Sequence, residues 1–135
     1  MLSEYRVLDL TDERGHLAAF MLAQMGAEVI AIEPPSGSHA RQLAPFSDGI
    51  DDGEHSLHHW AYNRGKKSVA LNWEHTEALE IAKALAVQAD VVLENFGTAD
   101  VLKRRGLDYE SIRALNPSVI YLSVSAFGRT GPWAN

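Results

Sequence analysis

The stretch DVVLENFG, residues 90–97, decides how the fold is predicted. It opens with an uninterrupted apolar run and then places Glu94, Asn95 and Phe96 in immediate succession. An apolar run without alternation is typical of a strand that a parallel sheet buries on both faces. The sequence therefore predicts a buried parallel strand. Its polar and aromatic end is either a simple exit from that strand or the edge of a ligand site.

Similar runs alternate with helical patterns along the chain. The predicted strands cover residues 5–10, 27–35, 67–72, 90–95 and 118–128. The predicted helices cover residues 16–26, 76–89 and 108–116. Gly26 is a predicted helix stop and Asp108 a predicted N-cap. The apolar face of the second helix is predicted to contain Leu79, Ala82, Leu85 and Ala86. This alternation predicts an α/β domain with a Rossmann-like parallel sheet and flanking helices.

The composition excludes several functional classes. The chain of 135 residues suffices for one domain, and its formal net charge of -6 argues against a nucleic-acid partner. The absence of cysteine excludes a disulfide scaffold, a cysteine–zinc site and a cysteine nucleophile. No apolar run approaches the ~18 residues of a membrane span. Because the N-terminus also lacks the pattern of a targeting peptide, we predict a cytoplasmic protein without a membrane partner.

Ligands of open parallel sheets bind beyond the carboxyl ends of the strands. Four segments of this chain lie there, namely TDERG, EPPSGSHAR, LNWEH and ENFG. Each one alone is more readily interpreted as a plain connection. The turn TDERGHLA lacks the glycine-rich phosphate fingerprint, which argues against classical NAD or ATP binding. Asp9 and Glu94 lie near strand ends, but their spacing assigns neither of them a catalytic role.

The histidines and the cationic segments leave alternatives open. His55 and His59 are four residues apart, so on one helix they would share a face that chelates a metal. A third ligand is missing, so a solvated histidine face is preferred and no metal is predicted. The turn NRGKK, residues 63–67, is either a phosphate-binding turn or a plain loop. The cations at residues 103–105 either complement a helix dipole or form an anion site.

Five blocks occur in an order that resembles one family: RVLDLT, MLAQMGAEVIAIEPPSG, NRGKKSVALN, ADVVLENF and GLDYESIRALNPSVIYLSVSAFGRTGP. Across residues 5–133 the chain resembles the N-terminal portion of the family III CoA-transferases. This is the CaiB/BaiF family, with formyl-CoA transferase-like and α-methylacyl-CoA racemase-like members. The resemblance implies a large Rossmann-like domain and a small domain, in two chains interlocked as rings. Residues 1–135 would form the N-terminal CoA-binding part, without the small domain and the C-terminal part.

The resemblance also implies a chemistry. Family members move coenzyme A between carboxylic acids, and an active-site aspartate attacks the acyl-CoA to form a mixed anhydride. That aspartate is expected beyond the last residue of this chain, so no catalytic residue is expected within it. The chain alone is therefore expected to be inactive. The implied partners are an acyl-CoA, a carboxylic acid acceptor and a second copy of the chain in a homodimer.

Matching the family motifs implies a set of positions that contact CoA, which are Arg14, Gly15, Leu71, Asn72, Asn95, Phe96, Gly97 and Arg104. The residues of VALN would lie along the CoA, and those of ENFG would contact its adenine or pantetheine portion. The arginine would meet a phosphate. The pair Arg14 and Gly15 stands on the acyl side, where the family often has a glutamine.

Two alternatives to CoA transfer remain open. A racemase-type enzyme of the same family would exchange the α-proton of an acyl-CoA instead of transferring CoA. A non-catalytic binding or partner subunit is the other alternative. The asparagine of ENF favours the transferase over the racemase.

Overall fold

Five short strands pair side by side, and every pair is parallel. Their bounds are β1 Arg6–Leu10, β2 Glu28–Glu33, β3 Lys67–Ala70, β4 Val91–Glu94 and β5 Ile120–Ser123. In this computed structural model, which describes residues 1–97 and 99–133, the sheet has the order β3-β2-β1-β4-β5. The predicted α/β fold with a Rossmann-like parallel sheet is confirmed.

The helices are α1 His16–Gln24, α2 Leu57–Asn63, α3 Thr76–Val87, α4 Ala99–Arg105 and α5 Tyr109–Leu115. Three of them, α1, α3 and α5, confirm the predicted helices. Asp108 caps α5 as predicted, because its carboxylate accepts the backbone N–H of Ser111 at 3.3 Å. Between β2 and α2 the polar segment forms two short 3-10 turns, His39–Gln42 and Ser47–Gly49. Within the described ranges, every helix is too short or too polar to cross a bilayer.

The fifth strand is shorter than the sequence predicts. The apolar pattern extends over residues 118–128, whereas β5 ends at Ser123. The chain then turns away from the sheet and passes through Gly128 at φ 84°, a backbone conformation that favours glycine. The residues after β5 therefore line the candidate site instead of extending the sheet.

Helices cover both faces of the sheet. On one face Leu8 and Val92 belong to a core that also contains residues of α3, α4 and α5. On the other face Val7 and Leu93 pack in a second core with Ala19 of α1. Neighbouring residues of a strand point to opposite faces, which divides β1, β2 and β4 between the two cores. Burial of a leucine or valine side chain in these cores, such as Leu8 or Val92, stabilises the fold by about 1.5–3 kcal/mol.

The buried stripe of α3 differs from the predicted one. The fully buried residues are Ala78, Ala82 and Ala86, whereas Leu79 and Leu85 are half-buried. The predicted face is thus confirmed for Ala82 and Ala86, and Leu85 packs against the same core from its edge, whereas Ala78 takes the buried position predicted for Leu79. Side chains as small as alanine allow the helix to approach the sheet closely, which moves the larger leucines to the flanks of the contact.

The strand order creates a crevice between β1 and β4. The chain leaves β1 toward α1 on one face of the sheet and leaves β4 toward α4 on the other face. The two strands are nevertheless neighbours, with Leu10 opposite Glu94 in the ladder. Loops that diverge from adjacent parallel strands leave an opening at their carboxyl ends, which is where such sheets bind ligands. The segments beginning at Thr11 and Asn95 form its walls.

Candidate functional site

A hydrogen-bonded bridge spans the crevice between β1 and β4. The backbone N–H of Asp12 donates to Asn95 Oδ1 at 3.0 Å, and Asn95 Nδ2 donates in return to Asp12 Oδ1. Arg14 also holds the Asp12 carboxylate, with its Nε 3.0 Å from each carboxylate oxygen. Partial burial opposes the charge of Asp12, but the hydrogen bonds from Arg14 and Asn95 outweigh it and lower the pKa of Asp12 to about 2. The bridge therefore carries a carboxylate at neutral pH.

Two open clefts meet at Asn95, whose side of the bridge lines both of them. The first, here called the β5-side cleft, has a volume of about 410 Å³ and is also lined by residues that follow β5. The second, here called the β2-side cleft, has a volume of about 360 Å³ and is also lined by residues that follow β1 and β2. The residues common to both clefts are Arg14, Asn95, Phe96 and Gly97. A ligand that extends past Asn95 would occupy both clefts.

An aromatic pair with a stacked arginine adjoins the β2-side cleft. The rings of Trp73 and Phe96, both in its lining, meet edge to face with centroids 6.5 Å apart. The guanidinium carbon of Arg105 lies 5.0 Å from the Trp73 centroid and 5.5 Å from the Phe96 centroid. Burial, and then the neighbouring Arg104, lower the pKa of Arg105, which nevertheless stays cationic at neutral pH. Trp73 lies in the segment LNWEH that follows the third predicted strand, but no local pattern marks it as a site residue. Nor does any pattern separate Arg105 from the neighbouring cations of α4.

Glu94, whose role the sequence leaves open, orients the loop after β4. Its side chain is fully buried and accepts the backbone N–H of Phe96 at 2.9 Å and the hydroxyl of Ser123. Arg129 Nη2 donates to both carboxylate oxygens, at 2.9 and 3.0 Å, and to the carbonyl of Phe96 at 2.9 Å. Glu94 therefore ties the loops after β4 and β5 together. No local sequence signal marks Arg129, because its partner is 35 residues away.

A buried ion pair supports the loop after β1. Lys66 Nζ lies 2.9 Å from Asp9 Oδ2, and the two side chains are 2% and 0% exposed. Asp9 Oδ1 accepts the backbone N–H and the hydroxyl of Thr11, so the pair fixes the start of the loop that carries Asp12 and Arg14. Lys66 also donates to Asn63 Oδ1 at 3.0 Å. Within the turn NRGKK this ammonium group points inward and does not present itself to a phosphate.

The structure brings four of the eight predicted CoA-contacting residues together, namely Arg14, Asn95, Phe96 and Gly97. Each of them lines both clefts. Gly15 is the N-cap of α1 beside them, and a Cβ atom there would lie 2.6 Å from the Cβ atom of Thr11. Glycine is therefore required at position 15 for packing, whatever else it contacts.

The other three predicted residues lie outside the lining of both clefts. Leu71 is buried in the core, and its neighbour Asn72 accepts the backbone N–H of Glu74 at 3.1 Å within a turn. Arg104 is exposed on α4 and donates to the carbonyl of Asp100 at 3.4 Å. Their contact with CoA stays a prediction. Arg105, one residue further along α4, is the cation that reaches the aromatic pair.

The predicted helix face shared by His55 and His59 is wrong. α2 begins at Leu57, after the N-cap Ser56, so His55 precedes the helix. The Nδ1 atom of His55 lies 2.8 Å from Asp52 Oδ1. Burial and nearby Arg41 lower the pKa of His59. Within residues 1–97 and 99–133 no group of three or more histidine and acidic side chains is arranged to hold a metal ion.

Comparison with known proteins gives a consistent result. The family model described as CoA-transferase family III matches residues 2–135. The succinate–glutarate CoA-transferase of Agrobacterium fabrum is 42% identical over 99% of this chain and 34% of that protein. The acetyl-CoA:oxalate CoA-transferase of Acetobacter aceti is 38% identical over 96% of this chain and 32% of that protein.

The structural comparison agrees with the sequence comparison. A CAIB/BAIF family protein from Brucella suis superposes with a TM-score of 0.87, at 38% identity over 96% of this chain and 34% of that chain. The chain thus spans about a third of the length of the relatives that it matches.

Proposed function

The chain belongs to CoA-transferase family III, and we propose that it is the N-terminal, CoA-binding part of an enzyme that moves coenzyme A between carboxylic acids. The observation that carries this proposal is the crevice between β1 and β4, where Asn95 and Phe96 join two clefts into one elongated surface. CoA is an elongated molecule with an aromatic base at one end and a thiol at the other. A surface with an aromatic wall in one cleft and room for an acyl group in the next matches that shape.

The β2-side cleft is proposed to hold the nucleotide end of CoA. Trp73 and Phe96 offer aromatic faces to a base, and stacking of a base on such a ring is worth about 1–3 kcal/mol. Arg105, held against both rings, adds a positive charge beside the phosphate groups. This assignment explains why a half-buried cation lies at this edge of the sheet.

The pantetheine arm is proposed to pass Gly97 into the β5-side cleft. A Cβ atom added at Gly97 would meet nothing within 4 Å, so the chain leaves open space beside the wall that the two clefts share. The thioester and its acyl group would then lie among the residues after β5. Arg14 borders that space, in agreement with its predicted position on the acyl side.

The proposed reaction requires a nucleophilic carboxylate. Its oxygen attacks the thioester carbonyl, the carbon–sulfur bond breaks, and CoA leaves as the thiolate while an acyl–aspartyl anhydride forms. The thiolate then attacks the aspartyl carbonyl and releases the donor acid, which leaves an enzyme–CoA thioester. The acceptor acid passes through the same two steps in reverse order.

The acids beside the crevice are unsuited to the nucleophilic role. Asp12 is bound by Arg14 and Asn95, and its low pKa marks a weakly nucleophilic carboxylate. Glu94 is fully buried and is held by Arg129. This supports the proposal that the nucleophilic aspartate lies beyond residue 135. The homodimer implied by the family resemblance and the cytoplasmic location predicted from the sequence belong to the same proposal.

Calorimetric titration of the 135-residue chain with CoA tests the proposal. We expect binding, and we expect Phe96→Ala to weaken it about tenfold through loss of stacking. Tyr109→Ala is the matched control, because it removes an exposed aromatic on α5. An unmodified chain that does not bind CoA would overturn the proposal. In the whole enzyme, exchange of the α-proton of an acyl-CoA in deuterated water, without CoA transfer, would favour the racemase alternative instead.

A further inference from the structure

We propose that His16 is a positioning residue of the CoA site, which holds the loop after β1 in its binding conformation only while the imidazole is neutral. Acidification then releases CoA by charging a side chain that lies outside the lining of both clefts. This inference rests on the proposed function and adds a pH dependence to it. It is carried by a buried series of hydrogen bonds, here called the His16 network, that links Lys66, Asn63, His16 and Thr11.

The His16 network lies behind the loop after β1. Lys66 Nζ donates to Asn63 Oδ1 at 3.0 Å, and Asn63 Nδ2 lies 3.2 Å from His16 Nδ1. On the other side of the ring, His16 Nε2 lies 3.2 Å from the carbonyl oxygen of Thr11. His16 is only 3% exposed, so both of its ring nitrogens depend on these protein partners.

The two ends of the His16 network fix the direction of every bond in it. An ammonium group has no acceptor, so Asn63 turns its carbonyl oxygen toward Lys66 and its NH2 group toward the ring. His16 Nδ1 therefore accepts, and the proton of the neutral ring is on Nε2. The carbonyl of Thr11 accepts as well, so it requires a proton on that same nitrogen. Both ends thus select the neutral imidazole with its proton on Nε2.

A second proton on the ring does not fit the His16 network. It would set the Nδ1–H of an imidazolium against the NH2 group of Asn63, so that two donors faced each other without an acceptor. Rotation of the amide would not relieve the conflict, because its NH2 group would then face the ammonium group of Lys66. A buried donor left unpaired destabilises the conformation that contains it. Protonation therefore favours a loop in which the ring has left its partners.

The charged neighbours of His16 act in both directions. Asp9 of β1 and Asp12 of the following loop favour an imidazolium, but both are already paired with cations. Burial above all, and then Lys66, outweigh them and lower the pKa of His16. On α2, His59 is another titratable neighbour, and a charge on either histidine disfavours a charge on the other. The neutral ring is therefore favoured above the ordinary histidine pKa of about 6.5 and is lost as the pH falls through the lowered pKa.

One peptide group connects the His16 network to the CoA site. The carbonyl of Thr11 and the N–H of Asp12 belong to the same planar unit. His16 binds the carbonyl from behind, while Asn95 Oδ1 accepts the N–H at 3.0 Å across the crevice. The ring of His16 therefore orients the peptide from which the bridge between β1 and β4 is made. Because Asp12 and Asn95 both line the β2-side cleft, loss of the His16 bond alters the wall to which CoA binds.

Calorimetric titration with CoA from about pH 7.5 to about pH 5, across the ordinary histidine pKa, tests this inference on the 135-residue chain and two variants. His16→Gln keeps an amide donor toward Thr11 but does not titrate. At the higher pH it should bind CoA about as well as the unmodified chain. As the pH falls, the unmodified chain should lose affinity relative to His16→Gln, by up to about tenfold per pH unit, which is the limit for one linked proton.

Asn63→Asp tests the direction of the hydrogen bonds themselves. Its carboxylate accepts from Lys66 and from a protonated ring at the same time, so an imidazolium fits the His16 network of this variant. We expect the pKa of His16 to rise in Asn63→Asp. We also expect the acid-dependent loss of CoA affinity to disappear, although His16 is still present and titrates.

Controls separate His16 from other groups that titrate in this range. A terminal phosphate of CoA and His39, which lines the β2-side cleft, affect every form of the chain alike, so only the difference between profiles reports on His16. His55→Gln removes a histidine that lies outside the lining of both clefts, and it should reproduce the profile of the unmodified chain. Without any ligand, a long-range nitrogen–proton NMR spectrum at the higher pH should show the proton of His16 on Nε2.

Parallel pH profiles of the unmodified chain and His16→Gln, with CoA bound at the higher pH, would overturn the inference and leave the proposed function standing. A ring that carries its proton on Nδ1 at that pH would overturn it as well. Should His16→Gln not fold, acid-sensitive binding in Asn63→Asp equally contradicts the inference. Absence of CoA binding at every pH would refute the proposed function and, with it, the role of His16 in CoA binding.

Discussion

Asp12 and Asn95, which are 83 residues apart in the chain, exchange two hydrogen bonds across the carboxyl ends of β1 and β4. The amide of Asn95 is suited to this position because it donates to the carboxylate and accepts from the backbone at the same time. The bridge fixes the distance between the two loops that form the crevice. It also forms the boundary between the two clefts.

Replacement of Asn95 by aspartate is expected to disrupt this bridge. In Asn95→Asp a second carboxylate takes the place of the donating amide, so the pKa of Asp12 should rise from about 2. The free energy of unfolding at pH 7 should fall by about 1–3 kcal/mol. Carboxyl resonances followed by NMR titration would measure the pKa. Asn72→Asp, in a surface turn, should leave the pKa of Asp12 unchanged, and an unaltered titration of Asp12 in Asn95→Asp would contradict the role of the bridge.

The acid stability of the domain should depend on Glu33. Hydrogen bonds from Arg41 above all, and then from Ser68 and Ser38, outweigh the effect of burial and lower the pKa of Glu33 from 4.5 to about 2. The carboxylate thus binds protons less readily in the folded state. Its contribution, on the order of 3 kcal/mol, is present above pH 4.5 and is lost as the pH falls toward 2. The difference in unfolding free energy between the unmodified chain and Glu33→Gln should therefore narrow from pH 5 to pH 3. A constant difference would contradict this assignment.

Two adjacent lysines should respond very differently to removal of their charge. Lys66→Met leaves the buried carboxylate of Asp9 unpaired and should cost about 3–5 kcal/mol of stability. Lys67→Met breaks an exposed ion pair with Glu28, which solvent screens, and should therefore change the stability far less. Urea unfolding of the two variants measures both effects. Similar losses in the two variants would show that Lys66 is not part of a buried network.

The arginines of α4 should also differ in their effect on CoA binding. Arg105 lies against Trp73 and Phe96, whereas Arg104 faces solvent. Arg105→Gln is expected to weaken CoA binding several-fold. It removes a positive charge from the cleft, and it also removes the guanidinium that packs on the rings of Trp73 and Phe96. Arg104→Gln should have little effect on calorimetric affinity. A larger effect of Arg104→Gln would support the assignment that was predicted from the family motif.

The sequence predicts the sheet well because the relevant signals are local. Uninterrupted apolar runs mark the strands, and residues directly after a strand, such as Asn95 and Phe96, lie at the sheet edge by necessity. The same rule selects the segment TDERG after β1, whereas Arg14 within it was predicted from the family resemblance. The position of Ser123 as the last residue of β5 could not be predicted, because the apolar pattern continues past the point where the chain turns.

The residues that the sequence did not reveal are defined by distant partners. Lys66 looks like one cation of a surface turn, yet it pairs with an aspartate 57 residues away. Arg129 lies in a loop with no regular pattern and is fixed by Glu94 of another strand. Trp73 becomes a wall of the site only when Phe96 packs against it. These contacts depend on which strands are neighbours in the sheet. Local patterns in a single sequence do not reveal that order.

The central claim is that the crevice between β1 and β4 binds coenzyme A, and an amide chemical-shift map tests it most directly. The isotopically labelled 14.8 kDa chain is titrated with CoA while every backbone resonance is followed. The largest changes should occur in residues 11–15, 95–97 and 124–129 and at Trp73 and Arg105. Absence of chemical-shift changes would contradict the claim. So would changes concentrated at the amino ends of the strands, near Tyr5 and Ala27.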